Sequence, residues 1–347
     1  MLDKAQTQEA VDGAVAVQAG RDVVVNVGVV TPEEVRALAS DTFKSDFVKM
    51  LGMAEAIAEA RANKVLDAFI ERIERVNPSA LRYANDPDFR YALYTAQKTA
   101  ARSGDGKLQD LLVELLVERA CEAPRSLIQL VLNEAIEVIQ RISNAQLNAL
   151  TLVFVLRHLR FDAASFDALI KTMDVYVQPF LSEVAGSYAS LSHLEYAGCG
   201  TLDDRAMRLA SEILAGTYPG AFQHGVSDAD ACVKSLSSSA RSLLVQCEHN
   251  SAHVQVLGTT REMVRELCQE RRLGMQDTMM LNRIFQGNAS VDVREVCVGA
   301  RPYLAKLFEV WDGSTLPHFC LTSIGVAIAH ANLSKYGEIQ QLSTWIN

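Results

Sequence analysis

The chain has 347 residues, 49% of them hydrophobic and 22% charged, enough for a sizeable apolar core in one or two domains. Its formal charge is −9 and its basic residues are scattered among acidic neighbours, so a continuous nucleic-acid-binding face is not expected. The most apolar run, Ala149 to Leu156, stops at Arg157, far short of the roughly 20 residues a membrane span needs.

The N-terminus lacks the basic-then-apolar order of a signal peptide, and a cytoplasmic protein is expected. Two β-branched runs follow, Ala14 to Gln18 and Val23 to Val27, with Ala19-Gly20-Arg21-Asp22 between them. They read as a short β-hairpin. A lone hairpin is marginal in water, so it needs a partner surface. Pairing with identical strands of other chains would place Val15, Val17, Arg21, Asp22, Val23, Val25 and Val27 in an oligomer interface.

Thr31-Pro32-Glu33-Glu34 is a helix start with a capping box and Pro at the first helical position. A second helix is expected from about Ser45 to Asn77-Pro78, roughly 45 Å at 1.5 Å per residue. Its length and its apolar residues, Ile57 among them, suit it to extend the same interface.

Asp86-Pro87-Asp88 opens a helix that stops at Ser103-Gly104, and another runs from about Asp105 to Glu122. Pro124 is expected to open the next, through Ile139. Ser143 caps one reaching Phe161, whose ALTLVFVL stretch reads as buried on most sides. The paired acids Asp86 with Asp88, Glu33-Glu34 and Asp203-Asp204 all fall at expected helix starts, where capping and the helix dipole account for them.

Glycines then become frequent, and a domain boundary is placed between 185 and 200. Thr201 to Asp204 reads as the start of a helix ending at Gly216, Ser227 as the cap of another, and 260–273, 276–286, 291–311 and 319–333 as further helices. The apolar tail around Trp345 is expected to dock. The fold expected is all-α, a multi-helix bundle or array with a short N-terminal β-hairpin. The divisions are a tail and hairpin (1–30), a long helical arm (31–78), a helical domain (79–190) and a second helical domain (191–347).

No phosphate-binding, dinucleotide-binding, metalloprotease or serine-hydrolase motif occurs. Seven cysteines, an odd number without a CxxC, read as free and mostly buried thiols. No cofactor and no complete metal site are expected. The nearest approach to a metal site is Cys247-Glu248-His249-Asn250-Ser251-Ala252-His253, where a continuing helix would place His249 and His253 on one face with Cys247 nearby. Tyr218, Phe222 and His224 lie in a Gly-rich turn that suits the rim of a ligand cleft.

Residues Gln18 to Asp22, Val23 to Val27 and Thr31 to Phe47 resemble an adaptor element found ahead of helical, TIR or NTPase modules in bacterial conflict and phage-defence proteins. The blocks at 86–105, 150–157, 218–225 and 321–332 resemble a bacterial family of helical proteins across nearly the whole chain. That resemblance implies a helical fold and a bacterial source, and it brings no catalytic residues. Two functions follow as expectations. The first is a non-enzymatic homo-oligomeric interaction or scaffold protein in anti-phage defence or stress sensing, with itself or another protein as partner. The second is an enzyme or ligand sensor acting on a nucleotide or small molecule in a cleft of the C-terminal helical domain.

Overall fold

A computed structural model describes residues 31–44, 55–286 and 291–346. The expected hairpin at 14–30 and the first part of the long helix, 45–54, lie outside the described residues. The rest is mostly helical, with a few short antiparallel strands.

Helix α1 (Pro32–Phe43) starts as its sequence dictates. The Thr31 side chain accepts from the backbone N–H of Glu34, and Glu34 returns a hydrogen bond from the Thr31 N–H. α2 (Glu55–Val76), α3 (Pro87–Ser103) and α4 (Gly106–Cys121) pack closely on one another. α3 ends at Gly104, whose φ of +65° is the left-handed cap a glycine adopts at little cost. α5 (Leu127–Val138) begins at Ser126, not at Pro124: Arg125 takes a positive φ of 60° and breaks the helix path before Ser126 caps it.

α6 (Asn144–Arg157) is the apolar helix of the sequence, and every residue from Ala149 to Leu156 is buried. It ends at Arg157, with His158 as its cap, four residues earlier than Phe161. Beside it lies α16 (Ser323–Leu333), buried from Gly325 to Leu333 and packed against α4, α5 and α6. A polar pair joins the two, with Asn332 Nδ2 donating to Thr151 Oγ1 at 2.9 Å. α7 (Phe166–Tyr176) and α8 (Tyr188–Tyr196) complete this half.

Several expectations are corrected beyond this point. Gly200 to Leu202 is strand β1, paired antiparallel with β4 (Phe319–Leu321), so the stretch after Thr201 does not begin a helix. The helix comes later, as α9 (Ala210–Thr217). Ser227 caps a turn, and Asp230 caps the short α10 (Ala231–Ser235) instead. After α11 (Ser238–Arg241) comes a hairpin of β2 (Leu244–Gln246) and β3 (Val254–Val256). α12 (Arg261–Glu270) and α13 (Met275–Gln286) follow. The expected 291–311 helix is two, α14 (Val293–Ala300) and α15 (Leu304–Asp312), broken at Arg301-Pro302 because proline lacks the N–H a helix interior needs.

One apolar cluster runs from Val35 on α1 to Ile346 in the tail and draws residues from both sides of the expected 185–200 boundary. A smaller core, from Val233 to Phe285, holds the β2–β3 hairpin against α10, α12 and α13. The tail docks as expected, with Ile346 buried and the Trp345 indole N–H donating to the His158 carbonyl at 3.0 Å. Among the described residues no helix is long and apolar enough to cross a membrane. All seven cysteines are free; four are buried, Cys232 and Cys320 are half-buried, and Cys121 is exposed.

Candidate functional site

The residues singled out in the second half are brought near one another, but not as one cleft. The stretch from Cys247 to His253 is the loop of the β2–β3 hairpin, so His249 and His253 do not share a helix face. His249 Nε2 lies 2.8 Å from the Ala221 carbonyl, and its ring packs edge-on to Phe166. His253 Nδ1 lies 3.0 Å from the His224 carbonyl, while the Cys247 thiol donates to the Gln223 carbonyl at 3.4 Å. These side chains clamp the hairpin loop onto the 218–226 turn. Among the described residues, no group of three or more His, Cys, Asp or Glu is placed to hold a metal ion.

Tyr218 and Phe222 are buried, and the Tyr218 hydroxyl accepts from the Phe161 backbone N–H at 2.8 Å. His224 is exposed and does not line the cavities bordered by Tyr218 and by Phe222. Ile57 lies on α2 and is 58% exposed. The remaining interface residues proposed from sequence, Val15 to Val27, lie outside the described residues.

A groove of about 1300 Å³ runs along α2, α4 and the tail segment. Its charges mostly answer one another. Arg72 pairs with Glu114, Arg75 with Glu71, and His330 with Glu118.

A second cavity, of about 690 Å³, has a different character. It sits where the C-terminal end of α6 meets the loop before α9, the start of α12 and strand β4. Five arginines line it, Arg157, Arg160, Arg205, Arg208 and Arg261, against two carboxylates, Glu212 and Glu262. Both carboxylates are engaged. Glu262 lies 3.8 Å from Arg160, and Glu212 accepts from the Leu209 backbone N–H at 3.0 Å. Among the described residues, no carboxylate lies within ion-pair distance of Arg157, Arg205, Arg208 or Arg261. The rest of the wall includes Leu156, Leu159, Ile213, Pro219 and Leu321, with His158 and Cys320 beside them.

The fold places each of these groups for a local reason. Arg157 is the last residue of α6, where a cation suits the negative end of the helix dipole. Its guanidinium donates to the carbonyls of Ala206, at 2.8 Å, and of Pro317, and its Nη1 lies 3.7 Å from Cys320 Sγ. It also lies over the Trp311 ring, 5.7 Å from its centroid. Its Nε is buried without a hydrogen-bond partner. The backbone carrying Arg205 and Arg208 is pinned: the Asp203 N–H donates to the His318 carbonyl at 2.8 Å, the Trp311 indole to the Arg208 carbonyl at 2.9 Å, and the Ala210 N–H to Asp312 at 2.9 Å. The guanidiniums themselves stay exposed on this fixed backbone.

The electrostatics are those of an uncompensated positive site. Burial lowers the Arg157 pKa, and the neighbouring Arg208 charge lowers it further. Burial also lowers the pKa of His158, with Arg157 adding to the effect, so this imidazole is neutral at pH 7. An anion entering the cavity would meet donors already held in place and would relieve repulsion among them.

The sequence reading did not single out these arginines. Arg157 and Arg160 come from one helix end, Arg205 and Arg208 from a loop, and Arg261 from the first position of α12. Only the fold gathers them, and each alone has the look of an ordinary surface charge.

A protein-family model matches residues 30–346. No curated protein and no solved structure matches the chain.

Proposed function

The chain belongs to the family whose model spans nearly all of it, and within that framework we propose that it is a binding protein that holds a small anionic molecule in the arginine-lined cavity. The observation that carries this reading is the set Arg157, Arg205, Arg208 and Arg261. They open on one space of about 690 Å³ without carboxylate partners among the described residues. A protein of net charge −9 gains nothing in solubility by gathering unpaired cations in a concavity. The volume is that of a small-molecule site, and the apolar wall offers contact for an organic group.

This reading takes up the ligand-sensor expectation and moves its site from the 218–225 turn to the end of α6. The resemblance of residues 18–47 to adaptor elements of bacterial phage-defence proteins supports a cytoplasmic sensor in defence or stress response. Self-association is the second reading. It is favoured by Ile57 and Val76, which α2 leaves 58% and 51% exposed.

A thermal-shift series on the full chain tests the binding reading, comparing phosphate, pyrophosphate, citrate and sulfate with chloride at matched ionic strength. A ligand at a hundred times its Kd stabilises by about 2.7 kcal/mol, which reads as a rise of several degrees in melting temperature. At least one multivalent anion is expected to give such a rise, and Arg208→Gln is expected to reduce it. Equal melting temperatures across the whole series would sink the reading.

A further inference from the structure

Resting on that reading, we propose that the cavity takes a polyphosphate chain carried by a small molecule, with Arg157 at the inner end and Arg205, Arg208 and Arg261 along its open side. Charge, donor geometry, shape and the state of the innermost donor together lead to this class.

Five guanidiniums against two carboxylates leave an excess of three positive charges in one cavity. A monocarboxylate or single phosphate would leave most of that excess standing. A di- or triphosphate supplies a matching charge in a row of linked groups. Guanidiniums present planar forks of donors that fit phosphate oxygens in pairs, and the four without carboxylate partners come from three separate segments, as a chain of anionic groups requires.

Arg157 supplies the independent sign. Its Nη2 donates to the carbonyls of both Ala206 and Pro317, its Nη1 faces Cys320 Sγ, and its buried Nε has no partner. Arg157 is thus a guanidinium fixed at the cavity wall by backbone carbonyls, with hydrogen-bonding capacity that the protein does not use up.

The shape argues against nucleic acid. The arginines converge on a concavity instead of spreading along a face, and the chain as a whole is acidic. A nucleoside polyphosphate and a short inorganic polyphosphate share the chemistry required. The apolar wall of Leu156, Leu159, Ile213 and Pro219 would add contact for the first and none for the second.

The experiment is isothermal titration of the full chain with ATP, ADP, AMP, tripolyphosphate, orthophosphate and citrate. A parallel readout is the rate at which iodoacetamide alkylates Cys320, followed by peptide mass spectrometry. Cys320 lines this cavity, so an occupant shields it, whereas the exposed Cys121 serves as an internal control. ATP or tripolyphosphate is expected to bind at least thirtyfold more tightly than orthophosphate and citrate and to slow alkylation of Cys320 alone. Arg205→Gln and Arg208→Gln, whose guanidiniums are exposed, should each weaken binding about tenfold with unchanged melting temperature. ATP tighter than tripolyphosphate identifies a nucleoside ligand, and equal affinities identify the phosphate chain alone. Citrate binding as tightly as ATP would overturn the polyphosphate assignment and leave the anion reading intact. If no anion binds, both fall.

Discussion

Arg119 and His330 show what the interior demands of a buried cation. Arg119 is 1% exposed, and it is answered by Asp88, by Asn133 Oδ1 at 3.0 Å and by the Phe89 ring at 5.2 Å. Asp88 therefore does more than complement the start of α3, the role its place in the sequence suggests. His330, also buried, has Nε2 2.9 Å from the Gln340 carbonyl and Nδ1 2.8 Å from Glu118. The Nδ1 contact lacks hydrogen-bond alignment, so what it offers is the charge of Glu118, which favours a protonated ring. Burial works against that charge, but Glu118 and the Gln340 carbonyl together outweigh it and raise the His330 pKa above its ordinary value. Because the folded value is raised, the stabilisation is complete below the unfolded pKa of about 6.5 and is lost as pH rises through the folded value. Thermal melts across pH 6 to 9 should fall more steeply for the wild type than for Glu118→Gln. Parallel curves would show that the pair does not titrate in this range.

At the scale of elements, α16 passes so close to the turn before β1 that a Cβ on Gly325 would meet the Cys199 carbonyl oxygen at 1.9 Å. The backbone there cannot yield without opening the β1–β4 pairing, which spans residues 200–202 and 319–321. Gly325→Ala should cost roughly 2 kcal/mol or more as overpacking, measured by urea denaturation. A change below about 0.5 kcal/mol would show that α16 can shift freely.

The contrast between legible and illegible elements has the same origin. Thr31, Asp86, Ser143 and Gly104 marked helix ends correctly, because capping is chemistry between residues a few positions apart. Strands β1 and β4 are three residues each and exist only through a partner more than a hundred positions away. Nothing local to Thr201 could reveal that. The hairpin at 244–256 likewise rules out the helical continuation that would have put His249 and His253 on one face, and its loop is fastened to the carbonyls of Ala221, Gln223 and His224. The cavity was hidden for the same reason, since its five arginines come from three separate stretches of chain.

Across the whole molecule, one core links helices that the sequence seemed to divide near residues 185–200. α6 and α16 lie at its centre, and the tail closes over it. The expected two helical domains rested on a shift in composition, and glycines such as Gly198 and Gly200 instead serve the turn into β1. Self-association belongs to this scale too. Light scattering coupled to size exclusion should give a defined oligomer for the full chain and a smaller species for a version starting at Thr31. Two monomers would remove the N-terminal segment as an assembly element and leave the cavity reading untouched.

Each of the two tryptophans of the chain contacts residues that line the arginine cavity. Trp311 lies beneath the Arg157 guanidinium and donates to the Arg208 carbonyl, and Trp345 donates to the carbonyl of His158, the residue after Arg157. Indole emission responds to nearby charge and to its hydrogen-bond partner. The protein therefore carries its own optical probe, since both indoles are one contact away from the wall of a single cavity. Occupancy can be followed in real time, without a label, in a stopped-flow mixer.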